Sequence, residues 1–198
     1  MQGLWPLPWW AAGSYAGSLR QRLLNLRRDP RPQVIHALTA PLARALAGAL
    51  AGAEAGTLLV PIPSWKRRGN PLPDLIASAL SRHLGLPVVP LLSRTRPVLG
   101  QHHLGRSMRL ANQHGAFRSR KAAASVRGRS VLIIDDILTS GATARSAAGS
   151  LEQAGWQVEG VVCLARTPAG QTRAKGPKGG GIEGSDLRSG SRHGDGPG

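Results

Sequence analysis

Hydrophobic positions along the chain fall into two alternating kinds of run. Short, nearly continuous apolar runs occupy residues 57–62, 88–92, 131–135 and 157–164, each bounded by Pro, Gly or charged residues. This is the pattern of strands buried on both faces. Between them, apolar residues recur three and four positions apart. One such stripe is Val34, Leu38, Leu42, Leu46, Ala49 and Leu50; a second is Leu72, Leu75, Ile76, Ala79, Leu80 and Leu84; a third is Ala144, Ala147, Ala148 and Leu151. These spacings predict helices over 33–52, 72–84 and 142–154. Strands alternating with helices predict an α/β chain with a mostly parallel sheet flanked by helices. In such sheets ligands bind at the carboxyl ends of the strands, at a switch point.

Punctuation residues refine this layout. From Tyr15 to Arg28, Leu19, Leu23, Leu24 and Leu26 with Arg20, Arg22, Arg27 and Arg28 predict a short basic amphipathic helix, expected to pack on the domain. Asp29-Pro30-Arg31-Pro32 ends it. Pro41 kinks the next helix or starts a new one. Gly85 and Gly155 are expected helix stops. Residues 1–14, rich in Trp and Pro, read as an irregular lead before a domain over 15–166. From Ser93 to Arg106 no steady period exists, so a long basic loop is expected, and loops of that length are often functional lids. Arg118 to Arg129 reads as a basic linker. Ten of the last 32 residues are glycine, so 167–198 is expected to be a disordered basic tail.

Composition changes the picture in three places. The single cysteine, Cys163, excludes an intrachain disulfide and a Cys-rich zinc site. Its apolar neighbours make it a buried hydrophobe. No run reaches the ~18 apolar residues of a membrane span, and Met1 to Trp10 lacks a basic signal-peptide start, so a cytoplasmic protein is expected. The net charge of +16 implies anionic partners. No Asp or Glu lies between Asp74 and Asp135, an interval with ten Lys and Arg and four His. A basic face is therefore expected, with a merely solvated surface as the competing reading. Aromatics do not interleave with the arginines, which argues against a stacking platform for single strands. No His, Asp or Glu spacing forms a metal-ligand set.

The candidate chemistry sits in Val131-Leu132-Ile133-Ile134-Asp135-Asp136-Ile137-Leu138-Thr139-Ser140-Gly141-Ala142-Thr143. A buried strand ends in two carboxylates, and a loop of small and hydroxylic residues leads into a helix. The first N–H groups of a helix lack internal partners and favour anions. Thr139, Ser140, Gly141, Ala142 and Thr143 can therefore cradle a phosphate, with hydroxyl donors from Thr139, Ser140 and Thr143. Asp135 and Asp136 would repel a bare phosphate, but they suit sugar hydroxyls. A ribose 5-phosphate satisfies both halves.

This run closely resembles the phosphoribosyl pyrophosphate (PRPP) motif of type I phosphoribosyltransferases, and the chain is similar to the ComF family of phosphoribosyltransferase-like proteins. The likeness spans roughly residues 15–166. It includes the Val-Pro-x-Pro and basic Arg-Gly of Val60 to Gly69. It also includes Gln101, Leu104, Arg106, Arg109, Asn112, Gly115, Ala116 and Phe117, and a closing Ala165-Arg166. The resemblance implies the type I phosphoribosyltransferase fold, PRPP or ribose 5-phosphate as ligand, and Mg²⁺ carried with PRPP. Asp135 and Asp136 are then the catalytic acids, and 139–143 hold the 5-phosphate. Lys66, Arg67, Arg68 and Gly69 are candidates for the pyrophosphate loop, and Gln101, Arg106 and Arg109 for the flexible loop that closes over PRPP. His102 and His103 read as a surface pair. A homodimer is compatible with the family.

Two departures stand out. ComF proteins often begin with a four-cysteine zinc module, which the single Cys163 cannot supply. They also continue Arg-Gly-Phe-Asn-Gln where this chain has Arg68-Gly69-Asn70-Pro71-Leu72. Three functions follow as expectations: a phosphoribosyltransferase catalysing pentosyl transfer; an accessory protein handling single-stranded DNA, since ComF relatives are linked to competence and DNA uptake; or a PRPP-sensing regulator without turnover.

Overall fold

The computed structural model describes residues 1–4, 7–50, 56–64, 69–95, 115–124 and 129–168. Its main sheet contains β1 (Gln2–Gly3), β2 (Trp9–Ser14), β3 (Leu58–Pro61), β6 (Ser130–Ile134), β7 (Ile137–Leu138) and β8 (Gln157–Arg166). The spatial order is β1-β2-β8-β6-β3, with β7 beside the far end of β8. All pairings are parallel except β1 with β2. Helices α1 (Gly17–Arg28), α2 (Pro32–Ala49), α3 (Leu72–Leu84) and α4 (Ala142–Gln153) flank it. The mostly parallel α/β architecture expected from the alternating runs is present.

Strand alternation divides the core into two layers. Val131 and Ile133 of β6, with Leu58 and Val60 of β3, face Ala144, Ala147, Ala148 and Leu151 of α4. Leu132, Ile134 and Leu59 point to the other side, where Leu23, Leu26, Ile35, Leu46, Ile76 and Leu80 of α1–α3 cover them. Helix α3 leads outward from β3 to Val88, which bridges in parallel to Leu59. Helix α4 leads the opposite way, from β6 to β8. The chain thus reverses direction between β3 and β6, and the carboxyl ends of those strands form the switch-point crevice.

Three local expectations change. Residues 1–14 are not an irregular lead, because Trp9–Ser14 pairs in parallel with β8 from Trp9↔Val161 to Ser14↔Arg166. Trp9 and Ala11 face one core layer while Trp10 and Ala12 face the other. The 88–92 run is not one strand. Pro87 and Pro90 cannot donate to a ladder, so Val88 makes a single bridge. The chain then turns into β4 (Leu92–Arg94), paired antiparallel with β5 (Phe117–Ser119). That small second sheet takes residues the sequence assigned to the basic loop and the basic linker. Third, of the two readings of Pro41 the start of a new helix is excluded, because α2 passes through it without ending. Pro41 and Ala37, whose carbonyl loses its donor, are both exposed, so water can serve that carbonyl. The loop over 96–114 and the tail beyond Pro168 lie outside the described residues.

Gly85 ends α3 in the left-handed conformation at φ 71°, with open space where a Cβ would sit. Gly85→Ala is therefore expected to cost only the conformational strain, about 1 kcal/mol. A urea titration with an unchanged slope and a lower midpoint would show it.

Candidate functional site

The crevice is built from the ends of four elements. Strand β6 stops at Ile134, and the Asp135 amide still donates to Val162 O at 3.0 Å. Asp135 and Asp136 follow at the sheet edge. Strand β7 then shifts onto the end of β8, pairing Ile137 with Ala165 and Leu138 with Arg166. Thr139, Ser140 and Gly141 turn into α4, whose first residues are Ala142 and Thr143. Gly141 adopts φ 73°, ψ 6° and is buried. This left-handed turn is where glycine is needed. The Arg145 amide donates to Gly141 O at 2.9 Å and starts the helix, while Ser140 Oγ accepts from the Ala142 amide at 3.4 Å. The structure thus brings 135, 136 and 139–143 together as a strand, acidic edge, cradle and helix.

Arg166, at the end of β8, braces this loop from below. Its Nη1 donates to Leu138 O at 3.0 Å and also to Thr139 O, and its guanidinium lies 5.6 Å from the Trp9 ring centroid. Burial lowers its pKa, but arginine stays charged. The loop's carbonyls are therefore occupied from the protein side.

The two aspartates differ. Asp136 is only 2% exposed. Its Oδ2 accepts from Arg27 Nε at 2.7 Å and from Asn70 Nδ2 at 2.8 Å. Burial pulls the Arg27 pKa down, but the bond to Asp136 and that carboxylate's charge outweigh it and raise it. Asp135 is half-buried and its Oδ1 accepts from the Asp136 amide at 2.8 Å. Burial first, and then the Asp136 charge, push the Asp135 carboxyl up to about 8. Arg94 of β4 feels the Asp135 charge. Its Nε donates to Pro63 O at 2.8 Å and its guanidinium sits 4.6 Å from the Phe117 ring centroid.

A cavity of about 360 Å³ opens at the carboxyl end of β3, with Asn70, the hydrogen-bond partner of Asp136, in its lining. Pro61, Pro63, Ser64, Asn70, Asp74 and Leu92 line it, and Gly69 lies at its margin. Burial raises the Asp74 carboxyl. Of the pyrophosphate-loop candidates, Gly69 falls here, while Lys66, Arg67 and Arg68 lie outside the described residues. So do Gln101, Arg106 and Arg109, along with His102 and His103. Cys163 is buried in the sheet and burial pushes its thiol up to about 12, so it is a core residue and no nucleophile. Among the described residues, no group of three or more His, Cys, Asp or Glu could hold a metal ion.

Sequence reasoning missed four of these residues. Arg27 was read only as part of a basic helix, Asn70 only as a departure from the family, Arg94 only as one charge in a basic interval, and Arg166 only as a closing motif residue. For Asn70 a local signal existed. Its Oδ1 accepts from the Leu72 amide at 3.2 Å, the turn-forming habit of Asn before a helix.

Residues 65–182 match the family model described as phosphoribosyl transferase domain. The chain belongs to that family. Among curated proteins it resembles the "DNA utilization protein YhgH" of Escherichia coli K12, at 35% identity over 114 residues covering 55% of this chain and 49% of that one. The same protein of Salmonella typhi is 33% identical over the same coverage. The chain thus spans about half the length of the curated relatives it matches. Among solved structures, an adenine phosphoribosyltransferase aligns with TM-score 0.48 at 19% identity, covering 69% of this chain and 71% of that one. The Saccharomyces cerevisiae adenine phosphoribosyltransferase aligns with TM-score 0.47 at 19% identity, covering 72% and 73%. Among the described residues no helix is long and apolar enough to cross a membrane.

Proposed function

We propose that this chain binds PRPP, or its ribose 5-phosphate half, in the crevice between β3 and β6, and acts as a ComF-type phosphoribosyltransferase-like protein in DNA utilisation in the cytoplasm. One observation carries the reading. A buried left-handed glycine, Gly141, opens a twelve-residue helix a few positions after the half-buried Asp135 at the end of β6. The 5-phosphate sits against the amino-terminal end of α4 and the hydroxyls of Thr139, Ser140 and Thr143, where the helix dipole favours an anion. Ribose hydroxyls reach Asp135 at the sheet edge. The pyrophosphate lies toward Gly69 and the basic run Lys66, Arg67 and Arg68, whose charges stabilise it as a leaving group.

The donor set bears on the metal. Among the described residues the acidic edge offers the Asp135 carboxyl and no group of three or more His, Cys, Asp or Glu, which fits a Mg²⁺ that arrives on the pyrophosphate and keeps most of its ligands from substrate and water. Bound there, it would neutralise pyrophosphate charge. By the family resemblance Gln101, Arg106 and Arg109 are the candidates for closing over the ligand and excluding water, and they lie outside the described residues.

Calorimetry with PRPP and Mg²⁺ tests the reading. Binding by the wild-type chain is expected, with at least a tenfold loss in Gly141→Val, whose branched side chain is strained at φ 73°. A wild-type chain that takes up no PRPP would exclude it. Pyrophosphate release over a panel of nucleobases then separates a transferase from a sensor that binds without turnover.

A second reading rests on the charge of +16 and on the name of the curated relatives. The chain would handle single-stranded DNA directly. Oligonucleotide binding that falls steeply with salt and survives Asp135→Asn supports it.

A further inference from the structure

The paired aspartates do not share one environment. Asp136 lies where four elements meet. Its carbonyl accepts the amides of Leu164 and Ala165 at 3.1 Å each, which ties it to β8. Its carboxylate holds Arg27 of α1 and Asn70 at the head of α3. The Asn70 amide is fixed at both ends. Oδ1 must face the Leu72 amide, which can only donate, so Nδ2 must face the carboxylate, which can only accept. Asn70 directly follows Gly69, so this pair of bonds sets where Gly69 stands relative to the acidic edge. Asp135 has no side-chain ion pair among the described residues.

We propose that Asp136 is an anchor and not a sugar contact, and that Arg27 and Asn70 are positioning residues. Through Asp136 they lock the end of the pyrophosphate segment to the ribose edge, leaving Asp135 as the carboxylate that meets the ligand. The proposal rests on the ribose-phosphate reading above. Arg27 lies upstream of the 65–182 family match, so the lock recruits α1 to the site. Both charge-assisted donors, at 2.7 and 2.8 Å, hold Oδ2, and a residue only 2% exposed leaves a sugar hydroxyl little approach to the other oxygen. Breaking one would expose a buried charge.

Two ligands separate the roles: PRPP with Mg²⁺, which carries a pyrophosphate, and ribose 5-phosphate, which does not. Asn70→Ala and the charge-neutral pair Arg27→Gln with Asp136→Asn are expected to weaken PRPP about tenfold or more. Ribose 5-phosphate should change by less than about twofold. Asp135→Asn should weaken both by similar factors. Circular dichroism and melting curves establish that each variant is folded, and Asn70→Ala, which leaves the ion pair intact, keeps the test open should the paired variant unfold. Equal losses for both ligands in the Asn70 variant, or no loss for PRPP, overturn the positioning role alone. A wild-type chain that binds neither ligand overturns the site reading and the proposal with it.

Discussion

Asp135→Asn is expected to stabilise the folded chain at pH 9, by about 2 kcal/mol, while leaving it nearly unchanged at pH 4. An ordinary aspartate titrates near 3.9, whereas burial and the neighbouring Asp136 charge raise Asp135 to about 8 in the folded chain. Between those values the folded state holds a proton that the unfolded state has released. Stability therefore falls as pH rises from about 4 and levels off above about 8. Full linkage over that interval would exceed about 5 kcal/mol. Asp135 is only half-buried, and water at the crevice reduces the effect to the smaller figure. For a chain of this size about 2 kcal/mol is a rise of about 4–8 °C in Tm. Melting curves from pH 4 to 9 should show the two proteins converging at the acid end and separating at the alkaline end. Parallel curves would contradict the assignment. The same substitution should weaken PRPP, so the residue trades stability for ligand binding.

That trade was visible in the sequence only in part. The run from Val131 to Thr143 carries its chemistry in consecutive residues. Strand, acids, cradle and helix could be read because each is specified locally. The two core layers were legible for a similar reason, since β6 alternates Val131 and Ile133 against Leu132 and Ile134. What escaped depends on distance along the chain. Arg27 meets Asp136 across 109 residues and Asn70 meets it across 66, and no local pattern encodes either contact. The expectation that Asp135 and Asp136 act as equals came from their adjacency. Adjacent residues at a strand end point to opposite sides, and here one side is the α1–α3 layer and the other is the crevice. Trp9–Ser14 escaped because small residues and flanking prolines hide its alternation. Its strand character comes from β8, a partner some 150 residues away in the sequence.

The dependence of β2 on β8 gives the second large effect. Gly160→Ala is expected to destabilise the chain by about 3 kcal/mol or more. Gly160 sits at φ 155°, where the register of β8 shifts against β6 between Val131 and Leu132. A Cβ there would lie 2.3 Å from the Pro8 carbonyl oxygen and 2.9 Å from the Trp10 ring. A side-chain end could swing aside, but the Pro8 carbonyl cannot, because it accepts the Val161 amide at 2.8 Å. Methyl and strand cannot occupy the same place, so β2 must withdraw from β8. Gly85, with open space around it, separates the two contributions: alanine there meets strain alone, and alanine at 160 meets strain and a backbone wall. The loss corresponds to a fall of about 6–12 °C in Tm. Hydrogen exchange should localise it, with the Val161 amide, which donates to Pro8 O, losing protection while Leu59 of β3 and Ile133 of β6 keep theirs. An alanine variant melting with the wild type would refute the packing. Because β2 runs directly into α1, its release also frees the helix that carries Arg27. PRPP affinity should then fall more than ribose 5-phosphate affinity in this variant too, although Gly160 touches no part of the crevice.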